Sequence, residues 1–156
     1  MTKQEAYSSD RRYQLYTEAL MSPMPWFKLD SDFLNDPKVR RLGFIGGWAY
    51  IGMYCGLIAH LASEDSHMYD VSDDYGWAVL QAHMSPMGHQ IPVEELMGFI
   101  KTLAELGLID ADMLGESGKV ASNRLMREAE NYAEKTARNK LQGELMRSGK
   151  EAKSKS

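Results

Sequence analysis

The apolar run at residues 44–62 constrains this chain more than any other stretch of the sequence. A run of about 18 or more apolar residues is long enough to cross a lipid bilayer. This run nevertheless contains four glycines, two tyrosines and a histidine, which insert into lipid less readily than leucine does. Gly46 and Gly47 interrupt it, so the continuous helix covers about 16 residues, or roughly 24 Å. We therefore expect a core helix that its own protein covers on every side, not a membrane span.

Composition predicts one soluble domain in a reducing compartment. The 156 residues are 44% hydrophobic and 26% charged, which is ordinary for a globular protein with a real core. The single cysteine, Cys55, has no partner for an internal disulfide, which predicts a cytoplasmic location. The first residues carry charges without an apolar segment behind them, so we expect no secretory signal.

Charge is unevenly distributed along the chain. Residues 1–118 carry 8 Lys and Arg against 17 Asp and Glu, whereas residues 119–156 carry 10 against 5. An acidic body with a basic C-terminal arm predicts that any contact with a polyanion involves the arm.

Capping residues and helix breakers predict mainly helices in the first part of the chain. The predicted elements are a disordered start at residues 1–8, a helix from Ser9 or Asp10 to about Met21, a linker at residues 21–25, an extended segment at residues 27–29 able to pair with a later strand, and a helix capped by Asn35 or Asp36.

The middle of the chain predicts a helix, a short turn and a second helix. The predicted elements are a strand at residues 67–71, a helix from Ser72 or Asp73 to about His83, a turn at residues 85–90 and a helix from Pro92 to Gly107. This order is typical of a helix-turn-helix, in which the second helix is the reader.

The last part predicts a β-hairpin and a long helix. Residues 108–112 and 119–121 read as two strands around a glycine-containing loop, which would form a wing. Ser122 or Asn123 then caps a helix that runs to about Met146, and a basic, flexible tail follows.

The segment at residues 25–132 resembles the N-terminal winged-helix domain of replisome-organiser-like (DnaD-like replication initiation) proteins of phages, prophages and plasmids. The residues that carry the resemblance are Phe27, Asp32, Asp36, Pro37, Lys38, Leu42, Gly47, Tyr50, Gly52, Tyr54 and Leu57. The resemblance implies a mainly α fold with a small β-sheet, a winged helix-turn-helix with an N-terminal helical arm and a long C-terminal helix. It also implies replication initiation on mobile-element DNA, in proteins whose winged helix often serves self-association while a later domain or tail binds DNA.

We find no motif for catalysis, a metal or a cofactor. The four histidines, at positions 60, 67, 83 and 89, lack metal-ligand spacing, although His83 and His89 flank a turn and can meet. No phosphate-binding glycine loop with a following Lys is present. We therefore expect a protein that is not an enzyme and holds neither metal nor cofactor.

Candidate DNA contacts are the cationic and polar residues of the predicted reader, wing and last helix. They are Lys101, Thr102, Lys119, Arg124, Arg127, Lys135 and Arg138. The second helix, the predicted reader, also carries Glu94, Glu95 and Glu105, whose negative charges would repel phosphate. For the last helix, the alternative to a DNA contact is an ordinary solvated helix surface with interspersed charges.

We expect a non-enzymatic DNA-binding accessory protein in replication or other DNA transactions of a mobile element. The alternative is a protein-interaction or self-association module of a replication complex that does not itself bind DNA. Expected partners are DNA, replication proteins and a second copy of the chain, but no membrane. The predicted layout is an arm and linker at residues 1–25, a winged-helix domain at 26–123, a C-terminal helix at 124–147 and a disordered basic tail at 148–156.

Overall fold

The structure, a computed structural model, describes residues 2–85 and 88–154, and it is mainly helical with a two-stranded antiparallel sheet. This confirms the mainly α fold with a small sheet. The elements in chain order are α1 (Lys3–Leu20), a 3-10 turn (Phe33–Asn35), α2 (Pro37–Ser63), β1 (Met68–Asp70), α3 (Asp74–Met84), α4 (Val93–Leu106), α5 (Ala111–Ser117), β2 (Lys119–Ala121) and α6 (Asn123–Ser154).

Helix α2 begins at a proline and bends at a glycine. The Asp36 side chain accepts hydrogen bonds from the backbone N–H of Lys38 at 2.9 Å and of Val39 at 3.4 Å, and Pro37 occupies the first turn. Gly47 has φ +64° and ψ −158°, a conformation that favours glycine, and it divides α2 into residues 37–46 and 48–63. The predicted cap and the predicted break are both confirmed.

The second segment of α2 is buried along one side only. Tyr54, Leu57 and Leu61 lie in the core, whereas Trp48 is 74% exposed and Phe44, just before the bend, is 94% exposed. The prediction that this helix is covered on every side is therefore wrong. The physical reason is that too few elements are available to surround the helix. The 3-10 turn, α3, α4 and α6 pack on α2, and no described element covers the outside of the bend.

The length of α2 does not by itself make it a membrane helix. Within the described residues it is the single helix long and apolar enough to cross a bilayer, and 22% of its most apolar 18-residue window is buried. Gly47 divides it, however, and the longer segment spans roughly 24 Å against about 30 Å of hydrocarbon.

The sheet joins parts of the chain that are distant in sequence. β1 pairs with β2 in antiparallel register, with Tyr69 opposite Val120, and Val71 N–H donates to Gly118 O at 2.7 Å. The predicted strand at residues 67–71 is thus confirmed. The predicted extended segment at residues 27–29 pairs with neither strand of this sheet.

The predicted hairpin, or wing, is wrong. Residues 111–117 fold as α5, because the Asp110 side chain caps the helix by accepting from Met113 N–H at 3.0 Å, and Gly118 ends it in the left-handed region. Residues 108–112 keep one ladder-like bond, from Asp110 N–H to Ala121 O at 2.8 Å, and β2 pairs with β1 instead.

Helices α3 and α4 pack against each other. Asp73 caps α3 by accepting from Gly76 N–H at 2.8 Å, and Gly107 ends α4 with φ +75°. Gln81 Nε2 donates to Ile91 O at 2.8 Å and fixes the far end of the connection. The predicted turn includes residues 86–87, which lie outside the described residues.

The N-terminal arm and the C-terminal helix form one unit. α1 packs along α6, burying Leu15 and Ala19 of α1 and Ala133 and Ala137 of α6. Arg11 Nη2 also lies 2.7 Å from a carboxylate oxygen of Glu144. The predicted arm and the predicted C-terminal helix thus contact each other, and the division at residues 1–25 and 124–147 stays a prediction.

Both ends of the chain are more helical than predicted. Thr2 and Glu5 form a reciprocal capping box that starts α1 at Lys3, so the prediction of disorder at residues 1–8 is wrong for the described residues 2–8. α6 extends to Ser154, so the predicted flexible tail is wrong up to that residue; residues 155–156 lie outside the described part.

Gly76→Ala tests the contact between α3 and β1. A Cβ at Gly76 would collide with the backbone carbonyl of Asp70, so the substitution is expected to lower the free energy of unfolding by about 1–3 kcal/mol. Gly98→Ala, inside α4 with open space around it, is the control and should raise stability by about 0.5–1 kcal/mol. Chemical denaturation measures both, and a Gly76→Ala protein as stable as the wild type would contradict the packing.

The Arg11–Glu144 pair predicts a pH dependence of the arm. The hydrogen bond from Arg11 holds the pKa of Glu144 below its ordinary value of 4.5. The ionised Glu144 carboxylate therefore stabilises the fold above pH 4.5, and this stabilisation is lost as pH falls through the lowered pKa. Glu144→Gln should reduce the melting temperature at neutral pH and flatten its decline in acid. Glu130→Gln, which breaks no ion pair within the described part of the chain, should leave the acid limb unchanged.

Candidate nucleic-acid interface

Helix α6 is anchored so that one of its faces must point outward. Ser122 Oγ accepts from Leu125 N–H at 3.2 Å and starts the helix. Leu125 and Ala129 are buried in the core, and Ala133 and Ala137 are buried where α1 packs on α6. The opposite side of the helix is consequently left to solvent.

That outward side carries a stripe of cations and amides. The stripe residues are spaced 4, 4, 3 and 4 apart, which places them within an arc of roughly 80° on a helix. All five are exposed. We call them the α6 stripe: Arg127, Asn131, Lys135, Arg138 and Gln142.

No acidic residue among the described residues forms an ion pair with a cation of the stripe. Within residues 2–85 and 88–154, no ion pair involves Arg127, Lys135 or Arg138. Glu128 is engaged elsewhere, because it accepts from Lys28 N–H at 3.1 Å and lies 3.6 Å from Arg124. The stripe therefore presents three cations to solvent.

Glu134, at the edge of the stripe, lies 3.8 Å from Arg12 of α1. This pair turns a carboxylate that could oppose a phosphate towards the arm. Glu130 is the exposed acid at this edge for which the described residues provide no ion pair.

Arg124, also a candidate contact, has an internal role. Its Nη2 donates to Lys28 O at 2.9 Å and lies 4.0 Å from Asp30, and the guanidinium lies 6.0 Å from the centre of the Phe33 ring. These contacts hold residues 28–33 against the start of α6. Arg124 thus stabilises the packing of this segment on α6 and is not a free surface cation.

The other candidates lie on different elements. Lys101 and Thr102 are on α4, where Thr102 Oγ1 donates to Gly98 O at 2.9 Å and Lys101 is exposed among Glu94, Glu95 and Glu105. Lys119 is exposed on β2 opposite Asp70. The pKa of Asp70 is lowered, chiefly by hydrogen bonds from Ser72 and in smaller part by Lys119. The structure thus does not bring these three residues into the stripe.

Sequence reasoning missed a second exposed surface at the bend of α2. We call it the Gly47 tip and define it by Arg40, Arg41, Phe44, Ile45 and Trp48, all exposed. Its apolar members follow the helical spacing of a buried helix, so periodicity alone predicts burial. The signal that could have located it is the glycine pair that divides the run.

The described residues offer neither a metal site nor an activated thiol. The structured ranges contain no group of three or more His, Cys, Asp or Glu able to hold an ion. His83 lies near His60, with ring centres 5.3 Å apart. Burial raises the pKa of the Cys55 thiol, which disfavours the reactive thiolate.

Comparisons with protein-family models, with curated proteins and with solved structures found no match.

Arg124→Ala and Arg127→Ala separate a structural arginine from a surface one. Arg124→Ala loses the bond to Lys28 O and the contact with Phe33, and should lower the free energy of unfolding by about 1 kcal/mol, since the site is partly exposed. Arg127→Ala should change it by less than about 0.5 kcal/mol. Thermal melts of both variants measure the difference, and equal melts would contradict the assignment.

Proposed function

We propose that this chain is a non-enzymatic DNA-binding accessory protein of the cytoplasm that acts in replication or other DNA transactions of a phage, prophage or plasmid. The observation that carries the proposal is the α6 stripe, with three exposed cations that no acid pairs among the described residues. The resemblance of residues 25–132 to replisome-organiser-like domains supports the same reading and supplies the mobile-element context.

In this proposal the body of the protein is related to winged-helix domains but lacks the hairpin wing. The α3–α4 pair and the β1–β2 sheet beside it support that reading. α5 takes the place of the hairpin loop. The outer face of α4 carries Glu94, Glu95 and Glu105 against one cation, Lys101, so α4 is a poor phosphate surface. The contact to DNA is therefore assigned to α6.

The stripe binds the DNA backbone. Arg127, Lys135 and Arg138 neutralise phosphates and release counterions, while Asn131 and Gln142 donate hydrogen bonds to phosphate or sugar oxygens. Three cations give weak, largely sequence-independent binding that falls steeply with salt. The acidic body, residues 1–118, keeps the rest of the surface away from the duplex.

The test is fluorescence anisotropy with labelled duplex DNA across a range of salt concentrations. The Arg127→Gln, Lys135→Gln, Arg138→Gln triple variant should lose most of the affinity at low salt. The slope of log K against log salt should decrease by about 0.9 per phosphate contact removed.

The matched control removes the same charge elsewhere, through Lys28→Gln, Lys101→Gln and Lys119→Gln. It should bind like the wild type, which would also remove Lys101 and Lys119 from the site. Deleting residues 119–156 is a poor test, because Val120, Leu125 and Ala129 belong to the core. Equal loss in both triple variants, or none in the stripe variant, would overturn the proposal.

A second candidate function is a protein-interaction module that docks within a replication complex without binding DNA. The exposed carboxylates of α4, Glu94, Glu95 and Glu105, favour it, since they suit a basic protein partner or a basic patch on a second copy. Absence of duplex binding even at low salt, together with a dimer in light scattering, would favour this function over the first.

A further inference from the structure

We infer that the Gly47 tip is a second binding site, for unpaired nucleic-acid bases, in which Phe44 and Trp48 stack on bases and Arg40 and Arg41 contact the adjoining phosphates. The inference rests on the proposed function and deepens it, because it adds single-stranded DNA to the ligands of the protein. The site lies on α2 and uses none of the stripe residues.

The two rings of the tip are open to a ligand. Phe44 is 94% exposed and Trp48 is 74% exposed. Rings of this size have areas of about 150–250 Å² each, so together they present on the order of 300 Å² of apolar surface. The largest apolar patch on a typical monomer is about 300–600 Å² and is often functional, so the two rings together reach the lower end of that range.

The rings are held outward by packing on both sides of the bend. Before it, Val39 and Leu42 are buried, and after it, Tyr54 and Leu57 are buried, so each helical segment is fixed to the core. Gly47 sits between them in its left-handed conformation. The two helical segments that carry the rings are therefore held in place before any ligand arrives, which lowers the entropic cost of binding.

The turn of chain beside the rings is packed closely. The Tyr50 ring lies against Gly46, where a Cβ would collide with it, and makes an edge-to-face contact with Phe99 of α4 at 5.1 Å. Tyr50 thus ties the start of the second segment to α4 and leaves Trp48 on the outside.

Local charge suits a polyanion. The α2 segment, Pro37–Ser63, contains Lys38, Arg40 and Arg41 and no Asp or Glu, within a body that is otherwise acidic. Lys38 Nζ donates to Gly107 O at 3.3 Å. Arg40 and Arg41 are exposed and form no ion pair in the described ranges. They precede Phe44 and Ile45 by four residues each, on the same helical face.

Flat aromatic faces beside arginines are the combination that binds single strands. Each base offers a ring for stacking and each nucleotide a phosphate for an arginine, whatever the sequence. A duplex hides its bases inside the stack, so the rings of the tip give no advantage there. The tip is therefore matched to unpaired strands.

A second copy and a lipid surface fit the tip less well. A twofold self-contact centred on the tip would bring the arginine pairs of both copies together, and the rings offer less than the roughly 800 Å² per partner of a standard interface. An anionic bilayer is a plane against which the acidic body would also lie, whereas a single strand is narrow enough to contact the tip alone.

The test is anisotropy titration of labelled oligothymidylate with the full chain. The Phe44→Ala, Trp48→Ala double variant should lose at least about tenfold in affinity, since stacking on each ring contributes to binding. It should keep the wild-type melting temperature and the wild-type affinity for duplex DNA. Tyr7→Ala with Tyr75→Ala removes two other exposed rings and should bind the oligonucleotide like the wild type.

A second readout reports the contact directly. In the Trp26→Phe, Trp77→Phe background, Trp48 is the one remaining tryptophan, and oligothymidylate should quench its fluorescence. An affinity unchanged by Phe44→Ala and Trp48→Ala, or fluorescence unchanged at saturation, would overturn the inference. Such a failure is distinct from failure of the proposed function, which is read from the stripe variants on duplex DNA.

Two further results would assign the tip to another ligand and so overturn the inference. One is co-sedimentation with phosphatidylserine-containing vesicles that the double variant abolishes, without any binding to oligothymidylate. The other is a dimer in light scattering that Phe44→Ala and Trp48→Ala convert to a monomer, again without binding to the oligonucleotide.

Discussion

The structure depends on the burial of one side of α2. Leu42, Leu57 and Leu61 have no exposed surface, and the core residues of α3, α4, the sheet and the start of α6 form a single cluster with them. Burying a leucine side chain stabilises a fold by about 1.5–3 kcal/mol, so these positions account for much of the cohesion of the domain. Both exposed surfaces described above are faces left over once that burial is satisfied.

Local signals predicted the local structure well. The caps at Asp36, Asp73 and Gly107 and the break at Gly47 follow from side-chain hydrogen bonds and from the φ values that glycine accepts. These interactions lie within a few residues in sequence, so they can be read without knowing the tertiary fold.

Predictions failed where a distant segment or a competing cap decided the outcome. Residues 2–8 are helical because Thr2 caps them and α1 has α6 to pack on. The hairpin was wrong because Asp110 caps a helix in the space that a wing would need. The pairing of α1 with α6 was not predicted, because no residue near α1 in the sequence indicates a partner more than a hundred residues away.

The candidate interface could be predicted in its residue types but not in its geometry. The cations of α6 were found from sequence, yet the ties of Arg124 to Lys28 and Phe33 appear only in three dimensions. The exposure of the Gly47 tip could not be predicted, because its apolar residues follow the spacing of a buried helix. Helical periodicity shows which faces of a segment are apolar. Whether those faces are buried depends on the elements that pack against them.

The pairing of α1 with α6 has a consequence for the order of folding during synthesis. Arg11 meets Glu144 across a separation of 133 residues, so α1 leaves the ribosome long before its partner exists. Contacts of such high sequence separation form late, because the intervening loop must close first. The first helix must therefore remain soluble by itself while the core assembles. Its surface is rich in charged and hydroxyl-bearing side chains, which water solvates well.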